Sequence, residues 1–145
     1  MFSQRVKEVM DRKVLTAEAA TSVLEAARLM RRRRVGAVVV VDAAGKAVGI
    51  FTERDALFRV IARQLDPSKT LLGTVMTPDP RTVGPNDSFG AALVTMFDAG
   101  FRHLPVVADG ALVGIISSRS ALDPDLVEFR VEEERRKHFR RERRA

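Results

Sequence analysis

Between Ser22 and Gly36 the apolar residues Val23, Ala26, Ala27 and Met30 share one face at helical spacing, the mark of an amphipathic helix. Ser22-Val23-Leu24-Glu25 has the hydroxyl and carboxylate of a capping box at its start. Arg31, Arg32, Arg33 and Arg34 stand at its C-terminal end, where cations suit the helix dipole, and the helix is expected to stop near Gly36. Ala37–Val41 is then an unbroken apolar, β-branched run, which predicts a strand covered on both faces. Residues 42–46 read as a turn and 47–51 as the hairpin partner. Thr52-Glu53-Arg54-Asp55 opens a second helix, with Leu57, Val60, Ile61 and Leu65 at helical intervals and Asp66-Pro67 as its stop.

The same order of elements returns downstream. A cap at Asp87 or Ser88 precedes a helix carrying Ala92, Leu93, Met96 and Phe97, and strands follow around 104–107 and 112–116. The correspondence extends to residue identity. Val9-Met10 recurs as Val75-Met76 and Val40-Val41 as Val106-Val107, both displaced by 66 positions; past a turn that is one residue shorter, Val48-Gly49-Ile50 recurs as Val113-Gly114-Ile115 at 65. A one-residue gap placed in a turn is what a duplicated fold tolerates. The chain therefore divides into repeat one, 1–66, repeat two, 67–122, and a charged C-terminal helix or tail, 123–145. A unit of about 55 residues buries little surface alone, so the two are expected to share a core.

Composition narrows the functional classes. The chain has no cysteine and two histidines, His103 and His138, which excludes disulfides and thiolate chemistry and leaves little for a zinc centre. No Ser-His-Asp arrangement, metal-ligand cluster or Walker-type glycine loop is visible, so no enzyme activity is expected. There is no apolar run long enough to span a membrane and no signal-peptide pattern, and a cytoplasmic location is expected. The net charge of +6 suggests a nucleic-acid partner until it is located. Residues 135–145 hold seven basic residues and one acidic, and removing them leaves equal numbers of each in the remaining chain. Asp123-Pro124-Asp125 resembles a helix start, after which Leu126, Val127, Phe129 and Val131 are available to dock on the body. Beyond them only Phe139 is apolar. Such a stretch reads first as solvated; a second reading has its arginines binding nucleic-acid phosphates or anionic lipid.

Taken together, residues 5 to about 122 resemble the tandem CBS-domain pair, or Bateman module. The carriers are Val9-Met10, the string from Arg33 through Gly36 to Asp42, Gly49-Ile50-Phe51-Thr52-Glu53-Arg54-Asp55, Val75-Met76-Thr77-Pro78, and Arg102-His103-Leu104-Pro105-Val106-Val107. The resemblance implies an α/β fold of the α+β type: two β-α-β-β-α units packed through small sheets with pseudo-two-fold symmetry, leaving two clefts. It implies a non-catalytic regulatory module that binds AMP, ADP, ATP, NAD or S-adenosylmethionine and forms a homodimer.

The family's nucleotide signature is a glycine, two apolar residues, Thr or Ser, two free positions and Asp, which residues 49–55 match in full. A carboxylate suits a ribose because its two oxygens accept from both hydroxyls at once, and a Thr hydroxyl with nearby backbone N–H groups can meet phosphate. Thr52 and Asp55 are thus the leading ligand contacts, with Arg54 between them. The same Thr-x-x-Asp also fits a capping box, and the two readings are compatible. By the resemblance, the other copy supplies Pro80 within the stretch 77–81, Arg102 and His103, while Gly36, Ala37 and Val38 occupy the matching place in copy one. Arg102 reads equally as a solvated cation, His103 as a satisfied, partly buried imidazole, and Val38 as core. In copy two Ser117 keeps the hydroxyl but Ser120 replaces the Asp, so the second site is expected to be weaker or adapted to another ligand. The alternative function is a dimerisation or interaction protein whose basic tail binds nucleic acid or another protein.

Overall fold

The computed structural model describes residues 3–121 and 124–143, with side chains outside 121–131. The chain runs α1 (Val6–Val9), β1 (Thr16–Ala17), α2 (Val23–Arg33), β2 (Ala37–Val41), β3 (Ala47–Thr52), α3 (Glu53–Asp55), α4 (Leu72–Val75), β4 (Thr77–Pro78), α5 (Phe89–Ala99), β5 (His103–Ala108), β6 (Ala111–Ser117) and α6 (Pro124–Glu142). A π-helical turn over Ala56–Ile61 continues α3, and a short 3-10 turn, Ser118–Ala121, follows β6.

The duplication is visible in the pairing. One sheet has the order β1-β2-β3-β4, with β1 parallel to β2 and the other neighbours antiparallel. In the other, β5 and β6 form the hairpin, and single bridges, Val83 to Val106 and Asp11 to Ile115, stand where the flanking strands would be. These bridges match Ala17 with Val40 and Ile50 with Thr77 in the first sheet. Both hairpins carry a register shift at the same place, Val40/Val41 and Val106/Val107. The matched helices α2 and α5 both begin with a serine cap, Ser22 accepting from the Glu25 amide and Ser88 from that of Ala91. Both end on a left-handed residue, Arg34 or Gly100.

Two apolar cores lie under the sheets. Val23, Ala26 and Met30 of α2 pack with Val38, Val40 and Phe51 in one, and Phe89, Ala92 and Met96 of α5 with Leu104, Val106 and Ile116 in the other. Each core is completed by the leading segment of the opposite repeat. Leu72 and Val75 close the first core, and Val6 closes the second. Burying a side chain of this size stabilises by about 1.5–3 kcal/mol, so each half contributes directly to the other's stability. Strand residues alternate faces, and the far faces are covered too: Val39, Ile50 and Pro105 are buried.

One expectation needs adjustment. The helix after β3 widens into a π turn, with bonds from the Ala62 amide to Leu57 O and from Leu65 to Val60 O. Val60 alone of its apolar set is buried, while Leu57, Ile61 and Leu65 are exposed. The C-terminal helix forms, and its residues 132–143 are all exposed. Ion pairs one turn apart, Arg136 with Glu132 and Lys137 with Glu133, support it. The proposed cap at Asp123 and the docking of Leu126, Val127, Phe129 and Val131 lie outside the described residues and side chains, as does Arg144 of the tail.

Candidate functional site

The hairpins deliver the candidate residues. Ala37 pairs with Thr52 at the open end of one hairpin and His103 with Ser117 at that of the other. One further bond closes each end: the Glu53 amide donates to Gly36 O at 3.1 Å, and the Ser118 amide to Arg102 O at 2.9 Å. Around these ends lie two clefts.

The first cleft, of about 220 Å³, brings together Thr52, Arg54 and Asp55 of unit one, Pro80 of the segment feeding unit two, and Arg102 and His103 before and at the start of β5. Thr52 and Asp55 form a complete capping box. The Thr52 hydroxyl accepts from the Asp55 amide at 3.3 Å, and Asp55 Oδ2 accepts from the Thr52 amide at 2.9 Å. Asp55 Oδ1 faces the Arg59 guanidinium at 3.6 Å. A carboxylate has about four acceptor sites, so this capping leaves capacity for a ligand. Arg54 reaches across to donate to Gly100 O at the end of α5, at 3.0 Å. Arg59 donates to the carbonyls of Val75 and Met76, both at 3.1 Å.

The second cleft, of about 560 Å³, is bordered by Gly36 and Ala37, by Ser117 and Ser120, and by Arg34 and Arg119. The Ser117 and Ser120 hydroxyls lie 3.4 Å apart, the counterpart of the Thr52 and Asp55 contact. Arg102, His103 and Glu53 border both clefts and form the partition between them. Val38 borders neither: alternation along β2 turns it into the first core, where it is fully buried.

His103 is not a satisfied core imidazole. Its Nδ1 is shielded from solvent and has no hydrogen-bond partner, which costs about 1–3 kcal/mol where no partner arrives. Burial lowers its pKa from the ordinary value, Glu53 pulls it back up, and Arg102 pushes it down. Glu53 is seated by Gly36, where an added Cβ would come within 2.9 Å of its Oε1. Among the described residues no group of His, Asp and Glu side chains could hold a metal ion, and no helix is long and apolar enough to cross a membrane.

Sequence reasoning did not single out Arg59, Glu53, Lys13 or the α5 end at Ala99, Gly100 and Phe101. Arg59 had a signal, since it stands one helical turn after Asp55. The α5 end had none, because its approach is set by how the two units pack.

The family model for the CBS domain matches this chain twice, over residues 6–62 and 72–124. The chain belongs to the CBS domain family. A CBS domain-containing protein of Arabidopsis thaliana is 38% identical over 117 residues, which cover 81% of this chain and 22% of the plant protein. The chain thus spans about a fifth of that relative's length. Among solved structures, an uncharacterized conserved protein from Pyrococcus horikoshii superposes with a TM-score of 0.79 at 32% identity, covering 84% of this chain and 92% of that one. A CBS domain protein of Pyrobaculum aerophilum complexed with AMP gives 0.77 at 26% identity, covering 88% and 99%. The pair of CBS units with small sheets, followed by a C-terminal helix, is the architecture that the resemblance implied.

Proposed function

We propose that this CBS pair is a non-catalytic regulatory module whose first cleft binds an adenosine nucleotide, AMP, ADP, ATP or NAD. One observation carries the reading: a single cavity joins a carboxylate after one hairpin to a cation and an unpartnered imidazole before the other. In this reading Asp55 accepts from the ribose hydroxyls, with Thr52 and Arg54 beside it. Pro80 lies against the base or sugar, and Arg102 and His103 meet the phosphate or a base nitrogen. The AMP complex of the Pyrobaculum relative supports this ligand class.

Cleft charge favours anionic nucleotides over the cationic S-adenosylmethionine. Arg54, Arg59, Arg81 and Arg102 border the first cleft against the carboxylates Glu53 and Asp55. A ligand at a hundredfold excess over its Kd adds about 2.7 kcal/mol, and for a chain of this size each kcal/mol moves Tm by roughly 2–4 °C. AMP, ADP, ATP or NAD should therefore raise Tm by several degrees in a thermal-shift panel. Unchanged melting with all four would remove the reading.

Binding is proposed to act through the assembly, a homodimer, and through an unidentified protein partner. Leu57, Phe58 and Ile61 on the π turn, Val94 and Phe97 on α5, and Phe101 just past its end are exposed, and clustered exposed apolar residues mark interaction surfaces. Arg54, on the α3 turn that leads into the π turn, bonds Gly100 O just past α5, which brings the start of one element to the end of the other.

A further inference from the structure

The second cleft differs from the first at matched places in the duplication. Ser120 stands where Asp55 does, which removes the carboxylate suited to a ribose diol. Arg34 stands where Gly100 does, which adds a cation at a position that resists one. Arg34 adopts φ 54°, ψ 44°, a left-handed conformation that costs a residue with a Cβ roughly 1–2 kcal/mol. Gly100 takes the same conformation, φ 75°, freely. A strained arginine at the rim of a cavity, opposite a relaxed glycine in the sister unit, points to a side chain kept for its charge.

That charge has company. Lys13, Arg34, Arg102 and Arg119 border the second cleft against two carboxylates, Asp11 and Glu53. Asp11 already accepts from the Lys13 amide at 2.9 Å. Among the described residues, the side chains of Lys13, Arg34 and Arg102 donate no hydrogen bond and form no ion pair. In the first cleft, by contrast, Arg54 and Arg59 are held by carbonyls. Unengaged cations converging on a cavity repel one another until an anion enters, and serine hydroxyls at 117, 118 and 120 add donors. The cavity is also the larger of the two.

We propose that the second cleft holds a phosphate chain, a di- or triphosphate gripped by Lys13, Arg34, Arg102 and Arg119, without reading a ribose. The chain is either a free inorganic polyphosphate or the tail of a nucleotide. The proposal goes beyond the nucleotide reading of the first cleft, with which it shares Arg102 of the partition, and it rests on Arg34, Lys13 and Arg119, which border the second cleft alone.

The test is calorimetric titration of the full chain with pyrophosphate, tripolyphosphate, ATP and AMP. Wild type is compared with Arg34→Gly, which fits the backbone, with Asp55→Asn, and with Arg140→Gln/Arg141→Gln in the exposed C-terminal helix. Tripolyphosphate is expected to bind at one site, at least tenfold more weakly in Arg34→Gly and within twofold of wild type in the C-terminal helix variant. Asp55→Asn should weaken AMP instead. If ATP alone binds, with the same dependence on Arg34, the chain is a nucleotide's tail and the proposal stands. It is overturned if neither polyphosphate nor ATP binds, if Arg34→Gly changes neither, or if the loss follows the tail variant.

Discussion

His103 borders both clefts yet keeps one ring nitrogen, Nδ1, shielded from solvent and without a partner. Its folded pKa is depressed by burial, while in the unfolded chain it titrates near the ordinary value of about 6.5. Below that pH the unfolded state takes up a proton that the folded state refuses, so stability falls as pH drops from about 6.5 toward the folded value. His103→Gln removes this linkage. Melting curves from pH 7.5 to 5.5 should show a smaller fall in Tm for the variant, and parallel falls would contradict the assignment. His138 is exposed, beside Glu142, and is common to both proteins. At this scale the sequence named Thr52 and Asp55 through the signature, and Arg102 and His103 through the family resemblance. It could not tell that His103 is unsatisfied or that Arg102 borders both clefts, since these depend on the packing of the two units.

The recurring Val-Met pair and the glycine of the middle strand explain each other. A Cβ on Gly49 would collide with the Met76 side chain, and one on Gly114 would lie 2.7 Å from Met10 Sδ and 3.0 Å from Asp11 O. Each methionine crosses a strand at the place where that strand has no side chain. The nearest atoms to a Cβ at Gly49 belong to the flexible Met76 thioether, whereas those at Gly114 include backbone, Asp11 O. Gly49→Ala and Gly114→Ala should both destabilise, by about 1–3 kcal/mol, with Gly114→Ala the larger in urea titrations. Met76→Ala should soften the effect of Gly49→Ala in a double-mutant cycle. The repeat was legible as matched strings 66 apart, but not that each string completes the opposite half's core. The π turn was illegible for another reason. Leu57, Ile61 and Leu65 keep helical spacing, and periodicity alone does not separate a core face from a face turned outward.

Exchange of the leading segments ties the two halves into one body, and the proposed homodimer places a second copy on the exposed apolar residues of the π turn and of α5. Among these, Phe97 is 87% exposed. Phe97→Asp should convert dimer to monomer in light scattering at micromolar concentration with Tm lowered through loss of assembly; an unchanged mass would move the interface elsewhere. The functional reading rests on the first cleft, where Asp55 caps a helix and is proposed to hold the ribose as well, two duties that a simple truncation confounds. Removing the hydroxyl from the ligand instead leaves the cap intact. The decisive measurement is therefore a calorimetric cycle of AMP and 2′-deoxy-AMP against wild type and Asp55→Asn. A charge-assisted hydrogen bond contributes about 1.5–3 kcal/mol, so loss of the 2′-hydroxyl should weaken wild-type binding at least tenfold and matter little in the variant. Equal affinity of wild type for the two nucleotides would contradict a ribose held by Asp55.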